Sequence, residues 1–247
     1  MTHPSSPMAS PGQGGPPIKS IKALGALLTY PEPELIAALD EIGALLDAEK
    51  LLSRKVRDGV AALLRHLGSE DLLTLQEQYV FLFDRTRTLC LHLYEHVFGE
   101  SRDRGQAMVR LAQLYERQGF EIVGRELPDY LPLLCEFLAE VPATSARAVL
   151  ADALTPLAAL RKRLTDRNDP YAAVLSGLLE ISGGKVDQAE LEAFIASQPK
   201  DPETLEELDR QAEEEPVTFG AGSALKDCSV ISGRGLPGAI AAVGPLA

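Results

Sequence analysis

From residue 18 onward, apolar positions recur at three- and four-residue intervals in one segment after another. In IKSIKALGALLTY the set Ile18, Ile21, Leu24 and Leu28 marks one face of a helix, and Pro31 stops it. PELIAALDEIGALLD restarts at Pro33, a residue suited to a first turn. SRKVRDGVAALLRHLG predicts a helix capped by Ser53 and ended at Gly68. In SEDLLTLQEQYVFLFD, Ser69 is the expected cap, and Leu72, Leu75, Tyr79, Leu82 and Phe83 form one stripe. The next helix is expected over about 87–98, broken at Gly99. Ser101 then caps a helix running to Gly119, where the following Phe120 suggests a Schellman ending. ELPDYLPLLCEFLAEV offers Asp129 as N-cap, with Pro132 in the first turn. TSARAVLADALTPLAALRKRLT reads as one helix, and DPYAAVLSGLLEIS as another, with Asp169 as cap and Pro170 first. DQAELEAFIASQ is a weaker last one. No alternating β pattern runs longer than a few residues. The expectation is all-α: a single bundle of roughly eight to ten helices joined by short turns.

The two ends break the pattern. Residues 1–17 are Pro, Gly and Ser with little to bury, and predict a disordered tail. The helical domain is expected to span 18–198. Residues 199–247 begin with the charge run KDPETLEELDRQAEEEP and continue as a Gly-rich tail without helical period.

Composition narrows the function classes. The chain has 247 residues, 45% of them hydrophobic but only 5% aromatic, with no Trp, so a large core must be built of Leu, Ala and Val. A formal net charge of -12 argues against nucleic acid and anionic membrane surfaces as partners, and either favours a basic one or merely keeps the chain in solution. The three cysteines, Cys90, Cys135 and Cys228, are odd in number and far apart, which fits a reducing compartment. No secretory signal and no run of about 18 apolar residues is present, so a soluble cytoplasmic protein without membrane insertion is expected, a monomer or weak dimer.

Candidate chemistry concentrates in LCLHLYEHVFGESRDRGQAM, residues 89–108. On a helix each residue advances about 100°, so His92 and His96 lie about 40° apart, while Cys90 is about 160° from His92. The three cannot then converge on one ion. A metal- or cofactor-carrying protein using His92 and His96 with a cysteine is the alternative reading, and zinc would need further ligands from elsewhere. Thr88, His92, Glu95 and His96 make a polar stripe on an otherwise apolar helix, which places that helix centrally and leaves two roles for the imidazoles, satisfied core partners or the wall of a groove. Arg102 and Arg104 sit at a helix start, where the dipole disfavours them; they form either a solvated turn or an interaction surface, with a carboxylate bridge to Glu100, Asp103 or Glu126. No G-x-S-x-G, P-loop or dinucleotide fingerprint is present, and SGGK at 182–185 is too short for a phosphate loop, so an enzyme is not expected.

The ordered motifs Tyr79-x-x-x-Phe83-Asp84-Arg85, His92-Leu93-Tyr94-Glu95-His96, Gly99-Glu100-Ser101-Arg102-x-Arg104-Gly105-Gln106-Ala107-Met108 and Glu126-Leu127-Pro128-Asp129-Tyr130-Leu131-Pro132 resemble the nitrate reductase delta-subunit family. These are molybdenum-cofactor assembly chaperones within the wider group of redox-enzyme maturation proteins. The resemblance covers roughly residues 20–220 and includes EEPVTFG at 214–220. It implies an all-helical chaperone that binds the N-terminal segment of the catalytic (alpha) subunit of respiratory nitrate reductase. It would hold that subunit open until molybdopterin guanine dinucleotide and an iron–sulfur cluster are inserted, before docking at the membrane anchor. No cofactor would be bound stably; the dinucleotide belongs to the client. The groove is expected between the Tyr79–Phe83 helix, the 88–98 helix and the ELPDYLP turn. Tyr79, Phe83, His92, Tyr94, His96 and Tyr130 are the expected contacts, Asp84, Glu126 and Asp129 would orient basic groups of the peptide, and Arg102 and Arg104 would hold the turn or meet the client.

Overall fold

A computed structural model describes residues 14–99, 101–198 and 239–242. Among them the α-helices are α1 (Lys19–Ala26), α2 (Pro33–Glu49), α3 (Arg54–Ser69), α4 (Leu72–Tyr79), α5 (Leu93–Phe98), α6 (Asp103–Arg117), α7 (Leu131–Leu138), α8 (Ala143–Asp152), α9 (Leu154–Asp166), α10 (Ala172–Ser182) and α11 (Gln188–Ser197). The all-α class is as expected. One short addition was not: β1 (Phe120–Val123) pairs antiparallel with β2 (Ala239–Ala242), Phe120 opposite Ala242. The rest of the acidic and Gly-rich segment 199–247, and residues 1–13 of the N-terminal tail, lie outside the described residues. Gly14, at the edge of that tail, is buried, and its carbonyl accepts from Thr144 N–H at 3.0 Å.

The core is continuous from Ile18 to Leu191. Its centre is α7, α1 and α10, not the 88–98 segment. In α7 every residue but Glu136 is buried, and α10 buries Val174, Leu175, Leu178, Leu179 and Ile181. α1 packs on α7, α2 and α10, and α10 on α3, α8 and α9. Two glycines permit these close approaches. A Cβ at Gly25 would collide with Cys135 of α7, and one at Gly177 would stand 2.8 Å from Leu24 of α1.

Several helix ends differ from expectation for identifiable reasons. Ser53 does cap α3, and Glu180 of α10 accepts from both the Ser53 N–H and its hydroxyl at 2.7 Å, tying α3 to α10. Ser69 is instead the last residue of α3, and Asp71 caps α4 by accepting from Thr74 N–H at 3.0 Å. The expected single helix over 144–165 breaks at Ala153. Pro156 accounts for it: its ring cannot follow a helical carbonyl four residues earlier, at Asp152. The end of α6 is as expected, with Gly119 at φ 80 and Phe120 packed edge-on against Phe137 at 5.4 Å. Asp169 accepts from Tyr171 N–H at 2.9 Å just before α10.

The largest departure is at 80–98. α4 passes into one π turn, Val80–Asp84, then a 3₁₀ turn, Arg87–Leu89, and residues 90–92 run extended before α5 begins at Leu93. Leu93 N–H donates to the Asp129 carbonyl at 3.1 Å, and Leu131 N–H to the Leu91 carbonyl at 2.9 Å. This strand-like bridge to a distant segment is what competes with the helix.

Candidate functional site

The bridge between residues 91–93 and 129–131 brings most of the predicted site together, with roles set by burial. Asp129 does not cap α7. In that helix Leu131 N–H is already bonded to Leu91, and Pro132 has no N–H to offer. The Asp129 carboxylate is therefore free to turn the other way. Fully buried, it accepts from Tyr94 N–H at 2.9 Å and lies 3.3 Å from His92 Nδ1. It thus caps α5 across the chain, and its negative charge sits at the positive end of that short helix. His92 is the residue preceding α5, with φ -90 and ψ 102, so His92 and His96 do not share a helix face as the spacing suggested.

His96 is buried, and its Nε2–H donates to the Cys90 carbonyl at 2.7 Å. Burial, helped by the Arg163 charge, lowers its pKa and keeps the imidazole neutral. The Cys90 sulfur lies 3.6 Å from the same nitrogen. Burial, with Glu95 beside it, pushes that thiol up to about 12, so the pair does not make an activated nucleophile. The Cys135 thiol, fully buried, is raised by desolvation as well. The string His92-x-x-Glu95-His96 has the spacing of one class of zinc peptidase. Here, with His92 outside the helix and aimed at Asp129, the spacing does not create a site. Among the described residues no group of three or more His, Cys, Asp or Glu side chains is placed to hold an ion, and the metal-carrier reading finds no support.

The aromatic members form a connected set beneath the surface. Tyr79 is buried; its hydroxyl donates to the Leu28 carbonyl at 2.9 Å and meets the Tyr130 hydroxyl at 3.3 Å. Tyr30 packs edge-on against Tyr79 at 5.5 Å, Phe83 lies between Tyr79 and Tyr171, and His92 faces Tyr130 at 5.4 Å. Burial raises the phenols of Tyr79 and Tyr130, the latter to about 12. Tyr115 supports the ELPDYLP turn from below, donating to the Pro128 carbonyl at 2.8 Å.

Tyr79, Phe83, His96 and Asp129 are therefore sealed, and shape the junction rather than face outward. His92, Tyr94 and Tyr130 are half-buried, and Asp84, Arg102 and Glu126 exposed. Asp84 is raised by partial burial and by the charge of Glu126, against the opposing pull of His92, which puts these three groups within electrostatic reach at one spot. Arg104 and Arg87 flank Glu95 at 3.6 and 3.5 Å; Glu100, one of the acids expected to bridge, lies outside the described residues.

Among the described residues, three hollows lie near the junction. One, of about 410 Å³, lies between α1, α2 and the start of α7, with Tyr30 and Pro132 on its rim. A second, of about 270 Å³, is lined by Tyr94, Val97, Leu114 and Leu134 with Arg110, Arg117 and Asp152 around them. A third, also about 270 Å³, is polar and holds Arg87, Glu95, His96 and Gln198. The α1–α2 hollow, with Tyr30, was not anticipated. Its signal was the spacing Leu35, Ala38, Ile42, Leu45, in which the small residue leaves room.

Fold and site together define an all-helical protein with open hollows on either side of an aromatic–imidazole junction. The chain belongs to the nitrate reductase delta subunit family, whose model matches residues 49–176. It is 39% identical over 216 residues to the "Nitrate reductase molybdenum cofactor assembly chaperone NarJ" of Escherichia coli (strain K12), covering 87% of this chain and 91% of that protein. It is 36% identical to the "Probable nitrate reductase molybdenum cofactor assembly chaperone NarW" of the same organism, covering 81% and 83%. To the probable chaperone of the same description as the first from Bacillus subtilis (strain 168) it is 33% identical, covering 65% and 86%.

Proposed function

We propose that this chain is an assembly chaperone for respiratory nitrate reductase, acting in the cytoplasm without turnover. It binds the N-terminal segment of the apo catalytic subunit and keeps that subunit receptive until molybdopterin guanine dinucleotide and the iron–sulfur cluster are inserted, after which the enzyme docks at its membrane anchor. The observation that carries this reading is the 39% identity, over nearly the whole of both chains, to a protein described as a molybdenum cofactor assembly chaperone.

The physical chemistry supports it. An acidic chain attracts a basic segment, apolar hollows give it anchors, and the thiols of Cys90, partly buried, and Cys135, buried, stay protonated and so are poor ligands for metal centres in transit. Among the described residues no helix is long and apolar enough to cross a membrane. In this reading His92, Tyr94 and Tyr130 touch the peptide, Asp84 and Glu126 meet its basic groups, and Arg102 and Arg104 hold or contact the turn beside it. Tyr79, Phe83, His96 and Asp129 fix the shape those residues present. The cofactor stays with the client, and the chaperone works as a monomer or weak dimer.

Calorimetric titration with a peptide copying the N-terminus of the catalytic subunit tests the reading, with metal analysis on the same sample. Saturable binding at micromolar or tighter affinity, about -8 kcal/mol or better, is expected from protein free of stoichiometric metal. No binding, together with stoichiometric zinc or iron, would replace it by the metal-carrier reading.

A further inference from the structure

We propose that the cleft between α1 and α2 is the seat of a basic amphipathic helix, about three turns long, contributed by the client's N-terminal segment. This inference rests on the assembly-chaperone reading and assigns that reading a docking surface away from the signature motifs.

The cleft has the form such a helix needs. Its floor is Ala23 and Ala26 of α1 with Leu35, Ala38, Ile42 and Leu45 of α2. The four α2 positions follow a 3-4-3 spacing, so they make one continuous stripe. Ten residues at about 1.5 Å each give the stripe a length of about 15 Å, which sets the three turns. The residues opposite and midway, Ala23, Ala26 and Ala38, are small. That leaves a trough into which larger side chains of another helix can project. α1 cannot move in to fill it, because Gly25 and Leu24 already hold it against α7 and α10.

The charges select the occupant. Glu32, Glu34 and Glu41 stand around the apolar floor. Two lysines, Lys19 and Lys22, also line the cleft, and Lys19 is paired with Glu140 at 2.7 Å, so carboxylates still outnumber cations on the rim. A segment with Lys or Arg flanking its apolar face complements that rim. A second copy of this chain would set acidic rim against acidic rim. Nor do the chain's own ends supply the charge. Residues 1–13 contain no Lys or Arg, the run 201–215 carries eight carboxylates against one arginine, and 216–247 has only Lys226 and Arg234, eight residues apart and with Asp227 beside the first. The other apolar hollow, beside Tyr94, has Arg110 and Arg117 on its edge and suits a basic partner less well.

The cleft is also joined to the motif residues. Tyr30 on its rim packs on Tyr79, whose hydroxyl holds the Leu28 carbonyl, and Gln76 donates to the Pro31 carbonyl at 2.9 Å. The α1–α2 turn is thus fixed from below by α4. Tyr79 would matter to recognition by holding this wall in place, without touching the client.

The test compares full-length wild type with two variants in calorimetric titration by the same catalytic-subunit peptide, after thermal melts establish that each variant folds. Ala38→Trp fills the trough, and the pair Glu34→Gln, Glu41→Lys strips the rim of charge without entering the core. Arg110→Glu, at the other hollow, is the control. We expect Ala38→Trp to lower affinity at least about tenfold, and the rim pair to lower it about three- to tenfold at low salt with the difference shrinking at high salt. Arg110→Glu should bind as wild type does. If either the rim pair or a folded Ala38→Trp binds like wild type, or if Arg110→Glu alone abolishes binding, the cleft is not the seat. If Ala38→Trp instead dissociates a dimer of the unliganded chain, the cleft is a contact between copies and the inference is overturned. Should wild type itself fail to bind the peptide, the chaperone reading falls, and the inference with it.

Discussion

Replacing Asp129 by alanine should weaken the fold more than any other single change at the junction. The carboxylate is fully buried and has two partners, the Tyr94 N–H at the start of α5 and the His92 ring. A lost helix cap costs about 1 kcal/mol, and a hydrogen bond to a charged group is worth about 1.5–3 kcal/mol. The two overlap, because one carboxylate provides both, so Asp129→Ala should cost about 3 kcal/mol. For a chain of this size about 2–4 °C accompany each kcal/mol, which predicts a fall in Tm of about 6–12 °C. Asp129→Asn keeps an oxygen for Tyr94 N–H and gives up only the charge, so about 1 kcal/mol is expected. Urea unfolding followed by circular dichroism measures both, and amide exchange at Tyr94 should accelerate in the alanine variant. An alanine variant within about 0.5 kcal/mol of wild type would refute the assignment of this carboxylate as the cap of α5.

Three further outcomes follow from the same structure. The native His96 imidazole has a lowered pKa, so the unfolded chain takes up the extra proton first as pH falls; stability should be intact above about pH 6.5 and decline below it, toward the native value. His96→Gln, which can still donate to the Cys90 carbonyl, should flatten that dependence in melts across the range. Tyr79→Phe removes the donor to the Leu28 carbonyl and the partner of the Tyr130 hydroxyl, and should cost about 1–2 kcal/mol by urea unfolding. Gly25→Ala drives a methyl group into Cys135 and should destabilise by about 1–3 kcal/mol in thermal melts, although alanine is the better helix former.

Helix existence was legible wherever one face is apolar and the other polar: α2, α3 and α6 follow their 3–4 spacing. Where the sequence is apolar all round, periodicity has nothing to read. Residues 87–98 were expected to be helical for that reason. A period-two signal was nonetheless present, since Leu89, Leu91 and Leu93 are buried while Cys90, His92 and Tyr94 are only partly so. Its cause lies in a distant segment, in the bond from Leu93 to Asp129 and its return from Leu131 to Leu91, and local propensity does not report such pairing. The break at Ala153 could have been read from Pro156. The role of Asp129 could not: an acid before a helix is ordinarily that helix's cap, and only the prior use of Leu131 N–H and the missing N–H of Pro132 turn it toward α5. The residues of the candidate site were picked out as a set through the family motifs, but which of them are sealed and which face outward depends on packing alone.

The most direct test of the account is the molybdenum content of the catalytic subunit purified from cells lacking this chain. The account predicts a subunit that accumulates with little molybdenum, restored when the full-length chain is supplied and not when the client's N-terminal segment has been deleted. A fully loaded enzyme in the absence of the chain, or restoration that is indifferent to the client's N-terminal segment, would contradict it.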